Sequence, residues 1–152
     1  MEIKLQAIGF VKNERKEVKD DHWGKIVSEI ELVESIMAEA LEGIEAFSHL
    51  EIIFYMDQVL AEKAVPQYRH PRNNTNLPML GTFAQRNKNR PNQLGLTTVE
   101  LIERKERSLF VRKLDAINGT PILDIKPVFK EFEPQGEIRQ PDWPQEIMKF
   151  YW

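Results

Sequence analysis

The apolar residues of this chain fall in short segments, and this spacing limits the folds that the chain can adopt. The segment His49–Met56 is rich in Ile, Phe and Tyr, which predicts a well-buried strand. Two further segments, Leu96–Ile102 and Ser108–Leu114, flank a charged turn and predict an antiparallel pair. Pro66, Pro71 and Pro78, with the polar run at residues 73–76, indicate a long irregular segment. We therefore predict a mainly β fold, a small single-domain β-barrel with one or two short helices and long loops.

The remaining segments complete this single domain. The chain has 152 residues, which is enough for one domain at roughly 100–200 residues per domain. We predict a barrel domain over residues 1–130 and a C-terminal tail over residues 131–152 that packs on the barrel or on a partner subunit. Apolar spacing predicts the other elements, which are strands at Ile3–Val11, Lys25–Leu32, Met79–Ala84 and Pro121–Ile125 and helices at Val33–Leu41 and Gln145–Trp152.

The composition excludes several kinds of chemistry. The chain contains no cysteine, which excludes a disulfide framework, a thiolate nucleophile and zinc sites built on cysteine. Its three histidines are scattered and none has an acidic or histidine neighbour at a metal-ligand spacing, so no metal site is predicted. No phosphate-binding loop, dinucleotide fingerprint or nucleophile elbow is present. The first residues lack a signal peptide and no apolar run could span a membrane, which favours a cytoplasmic location.

Charge is distributed unevenly along the chain. The window Lys63–Val99 contains six Lys and Arg residues and no Asp or Glu, although the whole chain has a net charge of −3. A local basic field on an acidic body attracts anions to one place, such as phosphates, a nucleic-acid backbone or a carboxylate. A solvated basic loop accounts for the same pattern equally well.

Three ordered motifs carry a more specific signal. They are EGIEAFSHLEIIFYMDQ at Glu42–Gln58, GTFAQRNKNRPNQLGLTTVELI at Gly81–Ile102 and LDAINGTPILDIKP at Leu114–Pro127. Together they resemble the TsaA-like (TrmO) family of tRNA threonylcarbamoyladenosine methyltransferases. The resemblance implies a small β-barrel methyltransferase that uses S-adenosylmethionine and forms a homodimer with the cofactor near the subunit interface. It also implies that the methyl acceptor is the modified adenosine beside the anticodon of certain tRNAs.

The resemblance further implies the residues of the site. Its cofactor contacts fall on Asp57, Gln58, Arg86, Leu96, Arg112, Lys113, Leu114 and Asp115, with Trp23 and Gly24 in an early loop. Arg86 would pair with the cofactor carboxylate, Asp57 and Asp115 would serve the ribose hydroxyls or the cationic end, and Gly95 would allow close backbone approach. The basic window would receive tRNA through Arg69, His70, Arg72, Arg90 and Asn92. No residue is identified as a catalytic base.

Several positions depart from the family pattern. The family's A-T-R-S reads Ala84-Gln85-Arg86-Asn87 here, and Asp57 stands where the family often has histidine. The C-terminal extension that assists bacterial members with tRNA has no counterpart in these 152 residues. Two alternatives therefore stay open: a methyltransferase of the same fold that acts on a small molecule or another RNA, and a non-catalytic module that binds S-adenosylmethionine or RNA.

Overall fold

Six antiparallel strands close into a barrel, which confirms the predicted fold class. The structure is a computed structural model that describes residues 1–152. Its elements are β1 (Gly9–Lys12), β2 (Val27–Leu32), β3 (His49–Tyr55), β4 (Tyr68–Arg69), β5 (Leu80–Gly81), β6 (Leu94–Lys105), β7 (Ser108–Arg112), β8 (Pro121–Pro127) and the helix α1 (Trp143–Met148). The barrel order is β1-β2-β7-β6-β3-β8, and β8 pairs with β1 to close it. The short strands β4 and β5 form a separate two-stranded sheet.

The alternation of each strand points one set of side chains into the barrel. In β3, Leu50, Ile52 and Phe54 are buried, while the residues between them are partly exposed. In β7, Leu109 and Val111 are fully buried in the same core. Burial of each such side chain stabilises the fold by about 1.5–3 kcal/mol. The period-2 pattern that predicts these strands from sequence is therefore the pattern that fills the barrel.

Strand β6 is long because it pairs with two different strands, β3 and β7. Its first half pairs with β3 from Leu94 to Glu100, and its second half pairs with β7 from Glu100 onward. Arg112, the last residue of β7, lies opposite Glu100 in this register. Continuing the antiparallel register by three residues beyond the end of β7 places Asp115 opposite Thr97. The middle of β6 therefore faces the segment that follows β7, which is where the predicted site lies.

Gly95 is required by the packing of the barrel. It lies opposite Phe54 in the pairing of β3 with β6. A methyl group built on Gly95 would lie 2.8 Å from Cδ2 of Phe54 and closer still to two other ring atoms. The absence of a side chain at Gly95 therefore makes room for the Phe54 ring. The sequence analysis explained Gly95 by close approach of the cofactor and did not predict this packing role.

The first predicted strand is wrong over most of its length. Regular structure begins at Gly9, where β1 first pairs with β2, and residues 1–8 form no strand. Ile3 and Leu5 alternate as a strand would, but both side chains are exposed. Alternation alone does not make a strand, because each strand also needs a partner for its backbone groups.

The predicted helix at Val33–Leu41 is also wrong, because two arginines bind the carbonyl groups that a helix would use. Arg107 donates to the carbonyl oxygens of Val33 and Ile36. Arg104 donates to those of Ala38 and Leu41 at 3.2 and 3.4 Å. Only a four-residue 3-10 helix forms, at Ala38–Leu41. The apolar spacing of this segment therefore reflects its packing on the barrel and not an α-helix.

The end of the chain returns to the barrel. Helix α1 starts two residues earlier than the helix predicted at Gln145–Trp152 and ends four residues before the predicted end, with Pro144 in its first turn. Residues 149–152, which we name the strap, follow it and lie against the loop at 21–24. The His22 amide donates to the Phe150 carbonyl at 2.8 Å, and the Trp23 amide donates to the Tyr151 carbonyl at 2.7 Å. A methyl group on Gly24 would lie 2.5 Å from the Trp152 carbonyl carbon, so loop and strap are in direct contact.

Candidate active site

A carboxylate held by two hydroxyl groups lies at the centre of the candidate site. Thr97 Oγ1 donates to Oδ1 of Asp115, and the Tyr151 hydroxyl donates to Oδ2 of the same carboxylate. Thr97 is buried in β6, and Asp115 and Tyr151 are partly buried. We call these three residues the Asp115 cluster. Because burial and the Asp115 charge both raise the pKa of Tyr151, its hydroxyl keeps the proton that it donates.

The strap joins this cluster to the loop at 21–24. Tyr151 is bonded through its carbonyl to the Trp23 amide and through its hydroxyl to Asp115. Arg72 lies over the Tyr151 ring, with its guanidinium carbon 6.0 Å from the ring centroid. Arg72 also forms a bidentate ion pair with Asp21, in which Nη1 lies 3.1 Å from Oδ2 and Nη2 lies 2.8 Å from Oδ1. The structure therefore brings the predicted residues Trp23, Arg72 and Asp115 together.

Arg86 and Leu96 form the neighbouring part of the site. Arg86 Nη2 donates to the Leu96 carbonyl at 2.6 Å, and Leu96 precedes Thr97 of the Asp115 cluster. The rest of the Arg86 side chain is exposed. The next residue, Asn87, has a buried side-chain oxygen with no hydrogen-bond partner in the protein. Buried polar atoms are nearly always paired, so this oxygen is an exception, and it follows Arg86 directly in the sequence.

Asp57 and Gln58 lie just beyond the end of β3, at the same end of β6 as the Asp115 cluster. They follow β3, and Gln93 holds this end by donating to the carbonyls of Met56 and Val59 at 3.0 and 2.9 Å. Both Asp57 and Gln58 are exposed. Leu94, the first residue of β6, is opposite Tyr55, so three residues of β6 separate this end from Thr97. No hydrogen bond of the chain links Asp57 or Gln58 to the Asp115 cluster.

The three residues before Asp115 lie in different environments: one forms an ion pair, one is exposed to solvent and one is in the barrel core. Arg112 pairs with Glu100 at 3.0 Å, Lys113 is exposed, and Leu114 is fully buried in the barrel. Lys113 has a φ of 65°, which turns the chain out of β7 and toward the cluster. Leu114 is therefore a core residue, and a cofactor contact through it would have to involve its backbone.

The first part of the basic window is occupied with internal bonds. Arg69 donates to the side-chain oxygens of Gln67 and Asn73 at 2.9 and 2.5 Å. His70 Nδ1 donates to the Leu77 carbonyl at 2.6 Å. These bonds shape the loop that carries Arg72, so Arg69 and His70 have a structural role whether or not they contact a substrate.

The second part of the window is more open. Arg90 donates to the carbonyls of Gln85 and Asn87 at 3.2 and 3.4 Å, whereas Asn92 and Lys88 are exposed. Lys88 forms no ion pair within 4.0 Å and is available to an external anion. The basic surface therefore consists of fewer free cations than the sequence alone suggests.

A further basic concavity lies beside the loop at 21–24. It has a volume of about 500 Å³. Four basic side chains and two carboxylates line it: the basic ones are Arg15, Lys16, Lys19 and Lys25, and the acidic ones are Glu14 and Glu17. Arg15 covers the Trp23 ring at 4.1 Å and donates to the carbonyls of Asp21 and His22. Sequence reasoning missed this surface, because its cations are interleaved with acidic residues.

Strained backbone is concentrated around the site. Seven non-glycine residues have a positive φ, a conformation that side chains rarely adopt. Six of them belong to the segments described above: His22, Arg72, Asn73, Asn92, Gln93 and Lys113. Such conformations cost about 1–3 kcal/mol each and are typical of binding and catalytic segments.

Sequence reasoning missed Thr97, Tyr151 and Asp21 as members of the site. The hairpin pattern alone could not indicate Thr97, because the register of β6 with β7 shifts by one residue between Leu101 and Glu103, and without that shift Asp115 would lie opposite Thr98. No local pattern indicated Tyr151, because 36 residues separate it from the carboxylate that it contacts. Its position depends on the path of the whole tail.

Comparison with known proteins identifies the family of this barrel. Residues 16–134 match the tRNA-methyltransferase O N-terminal domain family. A probable S-adenosyl-L-methionine-binding protein of Pyrococcus abyssi is 34% identical over 142 residues, which cover 90% of this chain and 74% of that protein. The tRNA (adenine(37)-N6)-methyltransferase of Escherichia coli is 43% identical over 94 residues, which cover 59% of this chain and 40% of the enzyme.

Solved structures agree with the sequence match. A crystal structure of TrmO superimposes with a TM-score of 0.74 at 27% identity and covers 92% of this chain. The chain spans 64% of that TrmO chain, so the solved protein contains a further part. No helix of the present structure is both long enough and apolar enough to cross a membrane. The match extends over well more than half of the chain and the barrel is shared, so this chain belongs to the tRNA-methyltransferase O N-terminal domain family.

Proposed function

We propose that this protein is an S-adenosylmethionine-dependent methyltransferase that acts on a modified adenosine, threonylcarbamoyladenosine, in tRNA. The observation that carries the proposal is the continuity of the site within one chain. Hydrogen bonds link the loop at 21–24 to Tyr151, Tyr151 to Asp115, and Asp115 to Thr97, beside the Leu96 carbonyl that holds Arg86. The name of the Pyrococcus abyssi relative supports the cofactor, and the name of the Escherichia coli relative supports methylation of a tRNA adenine.

The residues of the site fit the proposed cofactor. S-adenosylmethionine has a carboxylate, an ammonium group, a sulfonium and two ribose hydroxyls. The exposed part of the Arg86 guanidinium suits the carboxylate, because a charge-assisted bond is stronger than a neutral one. The Asp115 carboxylate suits the ribose hydroxyls or the ammonium group.

The chain's contribution to the reaction is positioning. The bound cofactor supplies a methyl group that is open to attack by a nucleophilic nitrogen. Arg86 and Asp115 hold the non-reacting parts in place, and an aligned, close approach of the reacting atoms accounts for much of the rate of such a transfer. The strap and the loop at 21–24 cover one side of the site through their hydrogen bonds.

The charged surface supports an RNA substrate. Lys88 and the exposed Lys63 form no ion pair, and the basic concavity at residues 14–26 lies beside Trp23. The remaining residues proposed to bind the substrate are Arg69, His70, Arg72, Arg90 and Asn92. A tRNA substrate fits a cytoplasmic location, and the absence of cysteine fits a reducing compartment.

We further propose that the active form is a homodimer. Four large apolar side chains are exposed on the segments that Arg86 and Leu96 occupy, namely Met79, Phe83, Leu94 and Leu96 itself. Large apolar side chains that are exposed in neighbouring segments of the sequence are typical of a surface that a protein partner covers. A second copy that covers this surface would lie directly beside Arg86.

Calorimetric titration with S-adenosylmethionine and S-adenosylhomocysteine tests the cofactor. The wild-type protein should bind at micromolar concentration, about −8 kcal/mol. Arg86→Ala should lose about 1.5–3 kcal/mol, or roughly 10- to 150-fold in affinity, as expected for a hydrogen bond to a charged group. Arg139→Ala, at an exposed position in the tail, is the matched control and should bind as the wild type does.

The two possible failures of this titration have different meanings. If the folded wild-type protein binds neither compound, the proposed function is wrong. If Arg86→Ala binds with unchanged affinity, the cofactor stands but Arg86 serves the RNA or the structure instead.

A further inference from the structure

We infer that Tyr151 is a positioning residue for Asp115 and that the strap carrying it forms a wall of the cofactor site. This inference rests on the proposed function, because it concerns how the site is held for the cofactor. Tyr151 lies outside the family match at residues 16–134 and outside the residues that the resemblance implies. The hydroxyl nevertheless contacts the one carboxylate at the centre of the site.

The geometry of the carboxylate limits its freedom. An ionised carboxylate has about four acceptor positions, two on each oxygen. Thr97 fills one position on Oδ1, and Tyr151 fills one on Oδ2. The group is thereby fixed against rotation, and one acceptor position on each oxygen remains for a ligand. Two adjacent acceptors at a fixed angle suit a pair of neighbouring hydroxyls, such as those of a ribose.

Tyr151 is itself held from several directions. Its carbonyl accepts a bond from the Trp23 amide, and its ring lies under Arg72, which Asp21 anchors. Two features keep the hydroxyl a donor, since burial and the nearby Asp115 charge both oppose its ionisation. A donor with a fixed ring and a fixed backbone can only serve the carboxylate in front of it.

This arrangement makes the strap part of the site. The strap is one of the anchors of the loop at 21–24, because two amides of the loop bond to the carbonyls of Phe150 and Tyr151. The strap in turn lies close enough to Gly24 that no side chain fits between them. Loss of the Tyr151 hydroxyl should leave the carboxylate held by Thr97 alone, with the ring and the backbone contacts of Tyr151 in place.

A double-mutant cycle tests the inference, with binding of S-adenosylhomocysteine measured by calorimetry. Tyr151→Phe removes one hydroxyl and should weaken binding about tenfold. In an Asp115→Asn background, the same change should weaken binding less than twofold, because Tyr151 acts through the carboxylate. Tyr68→Phe, at an exposed tyrosine whose hydroxyl forms no hydrogen bond within the chain, is the matched control and should bind normally.

The outcomes separate this inference from the proposed function. Wild-type affinity in Tyr151→Phe, or the same loss in both backgrounds, would overturn the positioning role while the cofactor stands. Absence of binding by the wild-type protein would overturn the proposed function and this inference with it. Thermal unfolding of each variant shows whether the fold is intact, and Thr97→Ser, which keeps the hydroxyl, should retain more affinity than Thr97→Val.

Discussion

Replacing Gly95 by alanine tests the account of the barrel most sharply. The new methyl group would lie 2.8 Å from Cδ2 of Phe54 and closer to two other ring carbons, whereas carbon atoms in contact prefer about 3.5–4.0 Å. Phe54 is 4% exposed and packs in the barrel core, so its ring has no free space to enter. The methyl group should therefore force a strained rotamer or a backbone shift.

The expected cost follows from overpacking of a closed core. Inserting a methyl group into a well-packed site typically costs about 1–3 kcal/mol. For a domain of this size, each kcal/mol lowers the melting temperature by about 2–4 °C. Urea unfolding and calorimetric melting of Gly95→Ala should both show this loss.

Gly81→Ala is the control for the change of glycine to alanine itself. Gly81 has a φ of −68°, and no atom lies within 4 Å of a methyl group built there. This variant should be as stable as the wild type or up to about 1 kcal/mol more stable, because alanine restricts the unfolded chain. Equal stability of Gly95→Ala and the wild type, or an equal loss in both variants, would refute the proposed role of Phe54 packing.

Two further predictions concern charge. Lys88→Ala should weaken tRNA binding and reduce the slope of log K against log salt concentration by about 0.7–0.9, the amount for one lost phosphate contact. Lys4→Ala is the control. Equal slopes for the two variants would contradict the proposed RNA surface. When the pH is raised from 8 to 11, the free energy of unfolding, measured in urea, should fall by about 1 kcal/mol more in the wild type than in Tyr151→Phe. Burial raises the pKa of Tyr151, so above pH 10 only the unfolded chain ionises this group. The stability that the neutral hydroxyl contributes is therefore lost as the pH rises. Equal decreases in the free energy of unfolding of the two proteins would contradict the burial of Tyr151.

Most of the barrel was predictable from the sequence because its strands fill a core on one face. The strands at His49–Tyr55 and Ser108–Arg112 alternate clearly, and both lie within one residue or two of the predicted bounds. The errors arose where a local pattern had no partner or an unforeseen one. Residues 1–7 alternate without a backbone hydrogen bond to a neighbouring strand, and the segment at Val33 loses its helical carbonyls to Arg107.

The candidate site was predictable only in part, and only through the family resemblance. Composition and motifs indicated an anion-attracting window, and the resemblance added Arg86 and Asp115. The contacts that assemble the site join residues far apart in sequence, such as Arg72 with Asp21 and Tyr151 with Asp115. No local pattern encodes these pairs, because they depend on the closed barrel and on the return of the tail.

Methyl transfer from labelled S-adenosylmethionine to tRNA tests the central claim most directly. The protein would be incubated with tRNA from cells that make threonylcarbamoyladenosine and from cells that do not, and the labelled nucleosides would be separated. The account predicts label in one modified adenosine of the first tRNA and none in the second. Absence of label from both, under conditions in which the cofactor binds, would contradict the claim that this protein methylates tRNA.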